Sequence, residues 1–105
     1  SQGESSVSEG YCYEAITGAD RELLPVVFVF QDNGYGISVP KSDQTANEHV
    51  CDNFIGFKNL KIIKCDGKDV FDSMNAMISA REHALKHHEP VIVHALCVRI
   101  GNHSN

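Results

Sequence analysis

Val26-Val27-Phe28-Val29-Phe30 is apolar at every position, in a chain whose other segments mix apolar and polar residues. An alternating pattern would suit a strand with one wet face. An unbroken one predicts a strand covered on both faces, as in a parallel sheet. Leu60–Cys65 and Val91–Val98 predict two further strands, and Asp66-Gly67 turns the chain after the first of them. Between the strands the period changes. Cys12, Ile16, Ala19 and Leu23 recur at three- and four-residue spacing, one buried stripe of a helix. Ser6-Val7-Ser8-Glu9 has capping-box spacing, so this helix is expected from Ser6 to about Leu24, with Pro25 stopping it. A second helix is expected from an Asp69 cap to about His88, ended by Pro90. Its buried stripe is read as Val70, Met74, Met77, Ile78, Arg81 and Leu85, with the aliphatic stem of Arg81 along the edge.

Gln31-Asp32-Asn33-Gly34-Tyr35-Gly36 reads as a polar, glycine-rich loop. Residues 37–58 have no clean period and read as loop with one short helix around Glu48–Asn53. The order helix, strand, loop, strand, helix, strand implies an α/β fold, a parallel sheet flanked by helices. The opening Ser-Gln-Gly-Glu looks like the loop after a strand, and the chain stops in a polar segment. Both ends are expected to be cuts through a larger domain.

Composition narrows the function classes. With 105 residues, 42% hydrophobic and 22% charged, the chain suits one α/β unit. A net charge of −5 argues against nucleic-acid or membrane-surface partners, which need basic patches. No apolar run approaches the ~18–20 residues of a membrane span, and no signal peptide is visible. Cys12, Cys51, Cys65 and Cys97 form no Cys-x-x-Cys pair and are read as buried, reduced thiols of a cytoplasmic protein, with a disulfide framework as the minor reading.

In an open α/β sheet, ligands bind at the carboxyl ends of the strands. Gly3–Ser5, Gln31–Tyr35 and Arg99–His103 would share that edge. Together they offer the Glu4 carboxylate, the Asn33 amide oxygen, free carbonyls and His103. Such donors suit magnesium, which takes few oxygen ligands from protein and the rest from phosphates and water. The N-terminus of the Ser6–Leu24 helix would favour a phosphate, and His103 could donate a hydrogen bond to it or to a reacting carbonyl. Each residue also has a plainer reading. Glu4 suits a solvated acid, Asn33-Gly34 a tight turn, and His103 a tail residue. His83 and His87 suit a solvated helix end, His94 a satisfied core histidine, and Met74 and Met77 core filler.

Gly3-Glu4-Ser5, twenty-six residues, then Asp32-Asn33 resembles the thiamine-diphosphate motif, Gly-Asp-Gly followed by Asn-Asn. Its flanks are more specific. Ser8-Glu9-Gly10, Leu24-Pro25-Val26-Val27-Phe28, Asn33-Gly34-Tyr35-Gly36-Ile37-Ser38-Val39-Pro40, Asp66-Gly67-Lys68-Asp69-Val70 and Arg99-Ile100-Gly101-Asn102-His103-Ser104 resemble, in order, the alpha subunits of branched-chain 2-oxo acid and pyruvate dehydrogenases. The resemblance implies a thiamine-diphosphate-binding, transketolase-like fold, of which residues 1–105 would be a partial fragment of one alpha-type domain. It implies thiamine diphosphate and Mg2+ as cofactors, with Glu4, Asn33 and the Tyr35 carbonyl on the metal. Gly3 and Ser5 would flank the diphosphate, and Ile37 would touch the aminopyrimidine and thiazolium region. His103 would contact the diphosphate and the reacting centre, and Arg99 would shape its loop.

The implied activity is oxidative decarboxylation of a 2-oxo acid, branched-chain by the resemblance, with acyl transfer to a lipoyl carrier. A beta subunit or fused beta domain would supply the activating glutamate, and a lipoyl acyltransferase component would take the product. The protein would be an oligomer, and the isolated chain inactive. Three departures stand out. Ser5 replaces the second Gly, at a strain of about 1 kcal/mol if φ is positive there. Asp32 replaces the first Asn and is expected to put a second carboxylate near the metal. Gln31 replaces a diphosphate-binding Arg, losing a charge-assisted contact. These departures motivate the alternative of a catalytically silent α/β binding or assembly module. A response-regulator or flavodoxin-like domain ranks last, lacking the acidic cluster or flavin loop. Ser104 matches a phosphorylation position of mitochondrial relatives, though a regulatory role there would need a kinase partner.

Overall fold

The computed structural model describes residues 2–3, 10–33, 35–36, 39–40 and 50–97. Its centre is a four-stranded parallel sheet of β1 (Gln2–Gly3), β2 (Val27–Asp32), β5 (Lys61–Asp66) and β6 (Val91–Leu96), in the spatial order β1-β2-β6-β5. A small antiparallel ribbon of β3 (Tyr35–Gly36) and β4 (Val39–Pro40) follows β2. The register pairs Gln2 with Phe30, Val27 with Val91, and Lys61 with Val91. Two helices connect the strands, α1 (Gly10–Glu22) between β1 and β2, and α2 (Val70–His87) between β5 and β6. The α/β class and the parallel sheet are as the pattern of apolar runs implies.

The first crossover steps from β1 to β2 and the second steps back from β5 to β6, so the two helices cover opposite faces, as same-handed crossovers require. On one face Cys12 and Ile16 of α1 pack with Phe30, Ile92, Cys51 and Phe54. On the other, Ala76, Ala80 and Ala84 of α2 pack with Cys65, Val91, Val93 and Ala95. Strand β6 lies between β2 and β5, and its residues Val91 to Ala95 are all buried. That double coverage is why its sequence shows no alternation.

Helix α2 is capped as expected. Asp69 accepts from Phe71 N at 2.9 Å and Asp72 N at 3.2 Å. His88, left-handed at φ 56°, closes the other end by donating its N–H to the Ala84 carbonyl. Its buried stripe, however, is corrected. Val70, Met74, Met77, Ile78 and Leu85 are 41–70% exposed, Arg81 is exposed, and the face on the sheet is Ala76, Ala80 and Ala84. Two stripes compete on this helix, and the one with small side chains lets the backbone approach the sheet most closely. Leu23 is also corrected. It is 45% exposed and left-handed at φ 54°, which ends α1 before Pro25 is reached.

Two other expectations shift. Gln31 and Asp32 are the last residues of β2 rather than the start of a loop. The short helix expected around Glu48–Asn53 is a 3-10 turn at Val50–Phe54. It buries Phe54 completely, with ring centroids 4.9 Å from Tyr13, 5.9 Å from Phe30 and 5.5 Å from Phe57. Asp20 ties α1 to the approach of β5 by accepting from Asn59 N at 2.8 Å. No helix among the described residues is long and apolar enough to cross a membrane.

Candidate functional site at the carboxyl edge of the sheet

Because the four strands are parallel, their carboxyl ends share one edge. Chain order reverses direction between β2 and β6, and ligands of open α/β sheets bind in the crevice at such a reversal. The chain segments leaving the sheet there are stitched together. Cys97 N donates to the Asp32 carbonyl at 2.8 Å, and Gly67 N donates to the Leu96 carbonyl at 2.8 Å. Gly67 needs its missing side chain, since a Cβ there would stand 2.8 Å from both Leu96 O and Cys97 Sγ.

At the reversal lies a buried polar pair. His94 Nε2 is 3.0 Å from Asp32 Oδ2, and both side chains are 1% exposed. With the carboxyl ionised it can only accept, and Nε2 of His94 is then the donor. Asp32 shares the α1 face of β2 with Phe30, two residues back, because side chains alternate along a strand. Oδ2 of Asp32 is thus engaged by His94. His94 is a core histidine, 1% exposed, with its Nε2 engaged by Asp32. In the next strand Lys64, the register partner of His94, pairs with Asp52 at 3.0 Å, and that hydrogen bond pushes the Lys64 ammonium above its ordinary range. A cavity of about 400 Å³ beside this row is lined by His94, Lys64, Lys68, Asp66 and Asp72.

Gln31 faces away from Asp32. It is exposed and lines a cavity of about 200 Å³ on the α2 side with Cys65, Gly67, Ser73 and Cys97. Burial pushes the Cys65 thiol up, and it pushes Cys51 up to about 11, with Asp52 adding to the effect. No disulfide joins the four cysteines, and Cys12, Cys51 and Cys65 are buried, in keeping with reduced core thiols. The His83 and His87 rings stack at 4.5 Å, and His83 Nε2 lies 3.7 Å from Glu89. The His83 side chain is 20% exposed, so it is largely covered rather than solvated.

Of the residues singled out in the sequence, Gly3 is in β1 directly opposite Gln31, which brings the two halves of the motif into adjacent strands. Asn33 follows β2 immediately and is half-buried, and Tyr35 opens β3. Glu4, Ser5, Ile37, Arg99 and His103 lie outside the described residues. Among the described residues no three His, Cys, Asp or Glu side chains converge on a metal position. A donor set of one carboxylate, one amide oxygen and one carbonyl is not of that kind. Its amide member, Asn33, stands at the edge. The pairing of Asp32 with His94 was not read from the sequence. Its only trace there is two polar interruptions near the ends of strands that are otherwise apolar.

A family model described as the dehydrogenase E1 component matches residues 1–105. The mouse mitochondrial 2-oxoisovalerate dehydrogenase subunit alpha is 35% identical over 102 residues, covering 97% of this chain and 23% of that protein. The Staphylococcus epidermidis pyruvate dehydrogenase E1 component subunit alpha is also 35% identical over 102 residues, covering 97% of this chain and 27% of that protein. The chain thus spans 23–27% of the length of these relatives.

Proposed function

Because the chain belongs to the dehydrogenase E1 component family, we propose that it forms part of the magnesium and thiamine-diphosphate site of a 2-oxo acid dehydrogenase, acting on a branched-chain 2-oxo acid. The observation that carries this reading is the pairing of Gly3 with Gln31, with Asn33 two residues on, at the carboxyl edge of a parallel sheet. The two motif halves are distant in sequence, and a site built from both needs them side by side. The mouse relative's name, 2-oxoisovalerate dehydrogenase, supports the substrate class.

In this reading Glu4 and Asn33 hold the magnesium through side-chain oxygens and Tyr35 through its carbonyl. Gly3 and Ser5 follow the diphosphate with their backbone. Ile37 offers apolar contact to the cofactor's rings, and Arg99 shapes the loop that carries His103. His103 donates a hydrogen bond to the diphosphate or to the reacting carbonyl, where it steadies developing negative charge. Bound thiamine diphosphate supplies the carbanion chemistry of decarboxylation. The protein's share is to hold the metal, orient the cofactor and keep water out. A beta subunit or fused beta domain completes the site, and a lipoyl acyltransferase component receives the acyl group. The chain in isolation is expected to be inactive.

Calorimetric titration of the natural protein with thiamine diphosphate and Mg2+ tests this reading. Saturable heat is expected, lost in Glu4→Gln and Asn33→Ala. Absence of heat and of any thermal shift at millimolar ligand would overturn it in favour of a silent assembly module.

A further inference from the structure

The motif resemblance assigns no task to Asp32 beyond standing where an Asn is usual, and none at all to His94. We propose that Asp32 and His94 form a buried positioning pair, which fixes the end of β2 and so the direction in which Asn33 leaves the sheet. The inference rests on the reading of Asn33 as a metal ligand.

Three observations carry it. The 3.0 Å contact lies in a fully buried setting at the reversal of chain order, where the ligand crevice is expected. Asp32 is held twice, by its side chain to His94 and by its carbonyl to Cys97 N at 2.8 Å, so both its backbone and its carboxylate are referred to the β6 segment. The neighbouring cation is already engaged, because Lys64 pairs with Asp52 at 3.0 Å and does not replace His94 as the partner of Asp32.

Energetics point the same way. A buried polar pair stabilises a fold no better than apolar residues of similar volume, so stability alone is a weak reason for this one. What it does supply is direction. A hydrogen bond between two strands fixes the rotation of the residue that bears it, whereas a leucine in the same space would tolerate several. Asn33 is the next residue along, and its side-chain oxygen must meet a cation whose octahedral geometry permits little error. Partners one step removed from a metal ligand act in this manner on metal affinity.

The experiment measures the dissociation constant of Mg2+ at saturating thiamine diphosphate, by calorimetry, in the natural protein. The variants are Asp32→Asn, His94→Gln, the double substitution and Ala80→Gly, with urea unfolding recorded for each. Either single change is expected to weaken binding by roughly tenfold or more. The double variant, in which two amides can restore one N–H···O bond, should recover most of that loss. Ala80→Gly, on the far face under α2, should lose stability yet bind as the wild type does. Should His94→Gln fail to fold, the nearly isosteric Asp32→Asn carries the test. If the single variants lose stability but bind normally, or if their effects on binding merely add, the pair is structural and the proposal falls while the cofactor reading stands. If the wild type itself does not bind, both fall together.

Discussion

Asp32 and His94, 62 residues apart in the chain, meet 3.0 Å apart with side chains 1% exposed, at the point where the sheet reverses its order. One is a strand's last residue, and the other interrupts the most deeply buried strand. Removing a single partner leaves the other's polar group buried without its hydrogen bond. His94→Leu should therefore lower stability by about 3–5 kcal/mol, and the double replacement Asp32→Leu/His94→Leu should recover a large part of it. Urea midpoints of the natural protein and both variants check this, and equal losses in single and double variants would contradict it.

Gly67 answers to close packing. A Cβ would stand 2.8 Å from the Leu96 carbonyl oxygen and from Cys97 Sγ, and 3.3 Å from Ala95 Cβ. The thiol can turn aside, but the carbonyl is backbone of β6 and cannot. Gly67→Ala should cost roughly 1–3 kcal/mol, the usual range for overpacking. A melting temperature unchanged from wild type would count against this account.

The cap of α2 rests on one carboxylate. Asp69 accepts from Phe71 N and Asp72 N, two donors that the helix cannot satisfy internally. Asp69→Ala should destabilise by about 1 kcal/mol, and Asp69→Ser should retain most of the stability, because Ser is a comparable cap. Paired thermal unfolding curves would show whether that ranking holds.

His83 gives a pH signature. Burial, then the nearby His87 and Lys61 charges, lowers its pKa below the ordinary 6.5, with Glu89 acting the other way. The folded state thus takes up a proton less readily than the unfolded chain. Its contribution to stability is complete above 6.5 and is lost as pH falls through the lowered folded value. His83→Gln should flatten stability between neutral and mildly acidic pH, as followed by urea unfolding at a series of pH values. A variant with the same acid slope as wild type would refute the assignment.

Strand positions were legible in the sequence wherever both faces of the sheet are covered. Val27–Phe30 and Val91–Val93 are apolar without alternation because helices pack on each side, the pattern of a buried parallel strand. The Asp69 cap was legible for a local reason, since the carboxylate and the donors it serves lie within three residues. The α2 face was not legible. Helical spacing marks two apolar stripes, and which one is buried depends on how near the sheet allows the helix to come. The sheet selects Ala76, Ala80 and Ala84.

The amino-acid order by itself determined the three long strands and the two helices, and with them a parallel sheet whose carboxyl ends share one edge; the two-residue strands β1, β3 and β4 stand where it reads as loop. Tertiary structure alone decided which residues meet along that edge. Gly3 lies beside Gln31, and Asp32 against His94, because register is settled by pairing across the whole sheet. Local sequence carries periodicity and caps, which act over a few residues. It carries no mark of which distant strand will supply a hydrogen-bond partner.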